Sequence, residues 1–129
     1  MSNTLGNLGI IYRIRRDYDK ALDKLDQCFK IQEELDNKRM MGFTLQNLAN
    51  IYMDRAQYNE SLKLYNRAHE ISKEIDNKHL MSIVQLNIAM IYKLTGNYNE
   101  ALDNHFIALK LQEALGNQRT ISKTFHNIG

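Results

Sequence analysis

Apolar side chains recur along the chain at intervals of three and four residues, which is the spacing of one face of an α-helix. The first run of this kind consists of Leu5, Leu8, Ile11 and Tyr12. After a polar break at Arg16-Asp17, a second run follows, made of Tyr18, Ala21, Leu22, Leu25, Cys28 and Leu35. The pattern predicts two amphipathic helices of about 17 residues, each roughly 25 Å long.

The same pattern returns every 40 residues, as the asparagines show: they occur at Asn7, Asn47, Asn87 and Asn127. Six of the seven tyrosines fall on two phases of this period, at Tyr12, Tyr52 and Tyr92 and at Tyr18, Tyr58 and Tyr98. Composition bias would scatter residues over all phases, so the shared phases indicate an internal repeat. We expect helix pairs at residues 2–37, 38–77 and 78–117, and the first helix of a fourth unit at residues 118–129.

Short polar segments separate the predicted helices. Within the units they are Arg16-Asp17, Ala56-Gln57 and Gly96-Asn97; between the units they are Leu35-Asp36-Asn37, Ile75-Asp76-Asn77 and Leu115-Gly116-Asn117. Asparagine and glycine tolerate left-handed backbone angles, so these segments are predicted to form tight turns.

Small residues also share phases, at Gly9, Ala49 and Ala89, at Ala21, Ser61 and Ala101, and at Cys28, Ala68 and Ala108. Small side chains let two helix axes approach closely, so we place these positions at helix contacts. Cys28 is therefore predicted to be a buried structural thiol rather than a reactive one. A single cysteine cannot form an internal disulfide, which favours a reducing compartment.

The string Asn7-Leu8-Gly9-x-x-Tyr12, followed by Tyr18-Asp19-Lys20-Ala21-Leu22, resembles the tetratricopeptide repeat. The usual period of that family is 34 residues, with a proline near the end of the second helix. Here that position holds Glu33, Lys73 and Glu113, and the period is similar to that of the long-helix subclass in kinesin light chains, Pins-type polarity adaptors, and the Rap phosphatases and peptide receptors of Gram-positive bacteria. The resemblance implies an all-α, right-handed superhelical solenoid of antiparallel helix pairs.

Composition and charge exclude several classes of function. The net charge of +2 is too small to predict binding to nucleic acid or to a membrane surface. The only basic run, Arg13 to Arg16, is explained by favourable cationic charge at a helix C-terminus, or by contact with an acidic partner. No leader and no apolar run long enough to span a membrane is present in the sequence, so we expect a soluble, cytoplasmic protein.

Catalytic signals are close to absent from the sequence. It contains no glycine-rich phosphate loop, nucleophile elbow or His-Glu-x-x-His string. The four histidines lie at His69, His79, His105 and His126, on four different phases, which does not favour a metal site. We expect no enzymatic activity, no cofactor and no metal.

The repeated asparagines are the best candidates for a binding site. In a solenoid of helix pairs the first helix of each unit lines the concave surface, so Asn7, Asn47, Asn87 and Asn127 would form a ladder along it. An asparagine amide offers donors and an acceptor, so it can pair with the backbone of an extended peptide. The resemblance points the same way, because related long-helix adaptors use groove asparagines for this purpose. The alternative is that each asparagine bonds a neighbouring helix and serves only the stacking of the repeats.

Groove positions that differ between units would determine specificity. One turn on either side of the asparagines lie Phe43, Ile83, Asn50, Met90, Arg13, Met53 and Lys93. The apolar members Phe43, Ile83, Met53 and Met90 belong to the second and third units and could form a pocket for an apolar side chain. The carboxylate-clamp members of the family need a lysine where this chain has Gly6, Gln46 and Leu86, so chaperone tails are not the expected ligand.

These observations favour a scaffold that binds a peptide or a partner helix in its concave groove. The alternative is a peptide-sensing regulatory segment of a larger signalling enzyme or transcription factor; a third possibility is an architectural piece that assembles with itself. The sequence stops at Gly129, within the predicted fourth unit, which suggests a fragment of a larger protein. Exposed end helices, with Ile121, Phe125 and Ile128 among their residues, would favour end-to-end association.

Overall fold

The structure is a computed structural model that describes the backbone of residues 2–119 and the side chains of residues 4–115. Within residues 2–119 the chain forms six α-helices and no strand. The helices are α1 (Ser2–Ile14), α2 (Tyr18–Glu34), α3 (Lys38–Asp54), α4 (Tyr58–Glu74), α5 (Lys78–Leu94) and α6 (Tyr98–Arg119). The breaks predicted at Arg16-Asp17, Ala56-Gln57 and Gly96-Asn97 are confirmed.

Consecutive helices pack as pairs, α1 with α2, α3 with α4 and α5 with α6. The second helix of each pair also packs against the first helix of the next, α2 on α3 and α4 on α5. The first helices touch one another along the array, α1 with α3 and α3 with α5. Each pair therefore contacts only its neighbours, as in a repeat solenoid, and the predicted all-α solenoid of helix pairs is confirmed.

The turns between helices share one geometry, but the asparagines are not its left-handed residues. Positive φ angles occur instead at Arg16 (64°), Asp36 (51°), Ala56 (60°), Asp76 (51°) and Gly96 (84°), so the prediction of left-handed angles is confirmed for Gly96 and wrong for the asparagines. In each turn the next amide donates to the carbonyl five residues earlier, which closes a Schellman motif. Asn37 and Asn77 cap the following helix, since their side chains accept from the amides of Met40 and Leu80 at 3.2 and 3.1 Å.

The third connector differs from its prediction. Helix α6 runs without a break through Leu115-Gly116-Asn117 and reaches Arg119. No other described helix packs against the end of α6 in the way that α3 packs on α2. The remainder of the predicted fourth helix, with Ile121, Phe125 and Ile128, lies outside the described residues.

Apolar side chains fill the junctions between helix pairs. One cluster, at the first junction, contains Ala21, Leu25, Leu48 and Ile51. A larger one extends from α2 to α5, with most of its members at the second junction, and is built around Tyr65, Leu80, Val84, Ile88 and Ile91. Most of the small residues lie where helices approach closely, as predicted: Ala21, Ser61, Ala68 and Ala108 are fully buried. The prediction is wrong for Ala101, which is half-buried because no described helix covers it as α3 covers Ala21. A Cβ added to Gly9 would lie 2.6 Å from Cγ of Leu25.

Polar groups are also buried at these junctions. The predicted burial of Cys28 is confirmed; the Gln32 amide donates to its Sγ at 3.1 Å, and Thr44 donates to the Gln32 oxygen at 2.7 Å. At the second junction, Nε2 of Gln85 lies 2.7 Å from Nε2 of His69. The Gln85 oxygen is the only described buried side-chain nitrogen or oxygen without a partner. An unpaired buried carbonyl is unfavourable, so this contact is a weak point in the core.

The repeat supplies an apolar equivalent of the contact between His69 and Gln85, because Phe29 and Leu45 occupy the same two phases at the first junction.

Burial, followed by the nearby Lys73, lowers the pKa of His69 below its ordinary value, while Glu70 opposes the change. The unfolded chain takes up a proton at His69 below about pH 6.5, whereas the folded chain resists it. Stability is therefore fully present above that pH and falls as the pH is lowered through it.

We expect the double variant His69→Phe with Gln85→Leu to lose this part of the pH dependence, because it copies the first junction and removes the titrating group. The free energy of unfolding, measured with urea at pH 5 and pH 7, should fall less on acidification than in the unmodified chain. Equal losses in the two proteins would contradict the assignment.

Candidate functional site: the groove surface

The first helices of the three units lie side by side and present one continuous surface. We define the groove surface as the asparagine position of α1, α3 and α5 together with the positions four residues before it and three and six residues after it. All the predicted groove residues lie there except Asn127, which is outside the described residues. Asn7 is exposed, and Asn47 and Asn87 are half-buried.

The asparagines of this ladder are not equivalent in their contacts. Asn87 donates from Nδ2 to Oδ1 of Asn50 at 3.5 Å, which joins α5 to α3. Asn7 and Asn47 make no side-chain hydrogen bond within the described part of the chain. The hydrogen bond to Asn50 therefore gives Asn87 a role in joining two units. The amides of Asn7 and Asn47 have no such bond and are available to solvent or to a ligand.

Asn50 is the most constrained polar side chain of the groove surface. It is buried, and its Oδ1 also accepts a hydrogen bond from the hydroxyl of Tyr65 on α4. Burial raises the pKa of Tyr65 well above its ordinary value, so the hydroxyl stays protonated and donates. An amide oxygen accepts two bonds, so Tyr65 and Asn87 together fix which way the Asn50 amide points.

Sequence reasoning missed the role of Tyr65. The other six tyrosines fall on two repeat phases, and Tyr65 is the one that does not. Its equivalents are Leu25 and His105, and the equivalents of Asn50 are Ile10 and Met90. The signal that could have linked them lies in the second unit, where Tyr65 and Asn50 bring hydrogen-bonding groups to two positions that are apolar in the first unit, at Leu25 and Ile10.

Arg13, predicted to contact a partner, forms an ion pair within the chain. Its Nε and Nη2 lie 2.7 and 3.2 Å from the two carboxylate oxygens of Asp54, which joins α1 to α3. The hydrogen bond to Asp54 raises the pKa of Arg13, against a smaller opposing effect of burial. One unit further along, the equivalent residues are Met53 and Leu94. The groove surface therefore changes from ionic between α1 and α3 to apolar between α3 and α5.

The four apolar residues predicted to form one pocket are distributed differently. Phe43 and Met53 are half-buried and pack against the core of the second junction, and the Arg39 guanidinium lies 5.5 Å from the Phe43 ring centre. Ile83 is half-buried on α5. Met90 instead lines a cavity of about 660 Å³ between α5 and α6. We call this the α5–α6 cavity; its lining residues are Leu86, Asn87, Ala89, Met90, Lys93, Tyr98, Ala101, Leu102 and His105.

The described residues offer no group of three or more His, Cys, Asp or Glu side chains that could hold a metal ion. Over the same part of the chain, no helix has both the length and the hydropathy needed to cross a bilayer. The side chains of the groove surface offer hydrogen bonding by amides, apolar contact, and the charges of Lys93 and of Arg13, which is paired with Asp54.

Comparison with known proteins agrees with this architecture. The solved structure titled the apo form of RapI superimposes with a TM-score of 0.82 at 20% sequence identity, over 95% of this chain and 45% of that one. The chain thus spans less than half the length of RapI, and the likeness concerns the fold. No curated protein sequence matches the chain. The Tetratricopeptide repeat family matches it twice, over residues 1–74 and 40–114, and the chain therefore belongs to the tetratricopeptide repeat family.

Proposed function

We propose that the chain is a protein-interaction scaffold whose groove surface binds a peptide in extended conformation across α3 and α5. The observation that supports this most is the fixed orientation of the Asn50 amide. The role requires no catalytic group, metal or cofactor. Membership of a family of interaction modules and the resemblance to peptide-binding adaptors support the same function.

The hydrogen bonds of Asn50 and Asn87 leave the amino group of Asn50 and the carbonyl oxygen of Asn87 without a protein partner among the described residues. Both bonds to Asn50 go to its oxygen, so its Nδ2 has no partner within the described protein. That nitrogen is not among the buried unpaired atoms, so it keeps some contact with solvent although Asn50 as a whole is buried. Asn87 donates from its Nδ2, whereas its Oδ1 has no partner among the described residues and is also not among the buried unpaired atoms. A peptide unit presents one C=O and one N–H, which this pair complements.

The residues around this pair favour an apolar peptide side chain close to an acidic one. Met90 and Leu94 on α5 are exposed large apolar residues. Met53 on α3 is half-buried, and Met53 and Leu94 are the repeat equivalents of Arg13 and Asp54, which are in contact. Methionine side chains adapt to differently shaped ligands. Lys93, between Met90 and Leu94, is exposed and makes no ion pair with any described residue. A free cation beside an apolar surface attracts a carboxylate of the partner.

The test is to select linear peptides from a random 12-residue library against the intact chain and to measure the affinity of the best one by calorimetry. The double variant Asn47→Ala with Asn87→Ala should bind that peptide more than about tenfold more weakly, because each lost hydrogen bond leaves a polar group unpaired at about 1 to 3 kcal/mol. Stability should fall little, since only one long hydrogen bond within the protein is lost.

The matched control is the double variant Asn66→Ala with Asn99→Ala, which changes two exposed asparagines on α4 and α6, outside the groove surface. It should bind the peptide as the unmodified chain does. If the groove variant kept its affinity while its melting temperature dropped sharply, the asparagines would be stacking residues and the proposal would fail.

A further inference from the structure

The repeat contains an isoleucine knob and a socket that receives it. The knob is at the same phase of each first helix, at Ile11, Ile51 and Ile91. The socket is on each second helix and consists of a tyrosine, a small residue and a leucine: Tyr18, Ala21 and Leu22; Tyr58, Ser61 and Leu62; and Tyr98, Ala101 and Leu102. Three knobs and three sockets are therefore present in the described chain.

Two of the knobs fill two of the sockets. Ile51 is 0% exposed and lies in the apolar cluster that contains Ala21, with Tyr18 and Leu22 packed against it. Ile91 is also 0% exposed and lies in the cluster against which Tyr58 and Leu62 pack. The knob of each unit thus enters the socket of the unit before it.

One knob and one socket are left without a partner among the described residues. Ile11 is 45% exposed, although its two equivalents are fully buried. The third socket is open as well, with Tyr98 65% and Leu102 55% exposed, whereas Tyr58 and Leu62 are half-buried. Together with Ala101 these residues line the α5–α6 cavity of about 660 Å³.

We propose that the α5–α6 cavity receives α1 of a second copy of this chain, with Ile11 in the third socket. The argument is continuity with the two junctions inside the protein, where α3 and α5 already occupy equivalent sockets. α1 carries at the contact phases the same kinds of residue as those helices: Leu8 matches Leu48 and Ile88, and Asn7 matches Asn47 and Asn87. These α1 residues are uncharged, so the knob side brings no charge into the contact, and the flexible stem of Lys93 on the cavity wall lets its ammonium group stay in solvent.

Such a contact joins different surfaces of the two copies and does not close on itself. Each dimer keeps one free knob and one free socket, so assembly continues head to tail as the concentration rises. The first helices of successive copies would then extend the groove surface from one copy to the next. This inference is argued independently of the proposed function, but Asn87, Met90 and Lys93 line the α5–α6 cavity, so a peptide at the groove surface and α1 of a second copy would compete for them.

The experiment uses two variants of the intact chain and their mixture. Ile11→Asp damages the knob and Leu102→Asp damages the socket, in each case at an exposed position, so folding should be retained. Sedimentation velocity from micromolar to millimolar concentration should show the unmodified chain growing beyond a dimer and each variant remaining monomeric. An equimolar mixture should form a dimer and nothing larger, because only one intact knob and one intact socket can meet.

The control is Leu35→Asp, which places the same charge on an exposed leucine in the connector after α2, and it should associate as the unmodified chain does. A strictly monomeric unmodified chain would overturn the proposal. If Leu102→Asp also lowered the melting temperature of that monomer, the cavity would be covered by the chain's own residues 118–129. Association that persists in each variant alone, or a mixture that forms species larger than a dimer, would equally overturn it.

Discussion

Replacing Tyr65 with alanine is expected to lower the free energy of unfolding by about 3 to 5 kcal/mol, the range for removing a large buried aromatic side chain. Tyr65 is 0% exposed and is the largest fully buried side chain of the described chain. It lies in the cluster where α3, α4 and α5 meet, so its loss leaves a cavity between two helix pairs. Urea unfolding followed by circular dichroism measures the change.

The matched variant Tyr65→Phe separates packing from hydrogen bonding. It keeps the ring and removes only the hydroxyl that donates to Oδ1 of Asn50. We expect a loss of about 1 to 2 kcal/mol, because the buried amide oxygen keeps only its long bond to Asn87. It should also weaken binding of the selected peptide, since the Asn50 amide is no longer held in one orientation. Equal losses of stability in the two variants would show that the hydroxyl, and not the ring, accounts for the contribution of Tyr65.

The second large effect is expected from Ala21→Leu, at a cost of about 1 to 3 kcal/mol through overpacking. Ala21 is 0% exposed at the junction of α2 with α3, in the cluster that holds Ile51. The added carbons have no free volume there, so the two helices must move apart or the leucine must adopt a strained rotamer.

Ala101→Leu is the control for this prediction, because Ala101 has the same repeat phase and the sequence alone predicts the same cost for it. The structure places Ala101 half-buried on the wall of the α5–α6 cavity, where a larger side chain has room. We therefore expect a stability change close to zero, measured by urea unfolding at micromolar concentration. The interpretation would be wrong if Ala101→Leu cost as much as Ala21→Leu.

The contrast between Ala21 and Ala101 shows why repeat phase alone does not determine burial. Phase fixes the face of the helix on which a residue lies, since that follows from the helical period. Whether the face is covered depends on the neighbouring helix, and in the described chain α3 covers Ala21 while nothing equivalent covers Ala101.

The turns show the same division between local and tertiary information. Their positions are readable from the sequence, because polar residues interrupt the apolar periodicity at each one. Their left-handed residues are not, since Arg16 and Ala56 take positive φ values that neither residue favours. Packing of the helices on both sides of the turn imposes that conformation, and asparagine serves instead as the cap of the next helix.

The sequence by itself determined the helices, their pairing, the family and the face that carries the asparagines, because a period of 40 residues and a helical spacing of three and four are local properties of the chain. Only the tertiary structure decided what the groove side chains contact. Arg13 meets Asp54 across 41 residues, and Tyr65 meets Asn50 from a different helix. Such contacts depend on where two helices cross. They determine the orientation of the Asn50 amide and the pairing of Arg13, which the sequence of a single helix does not specify.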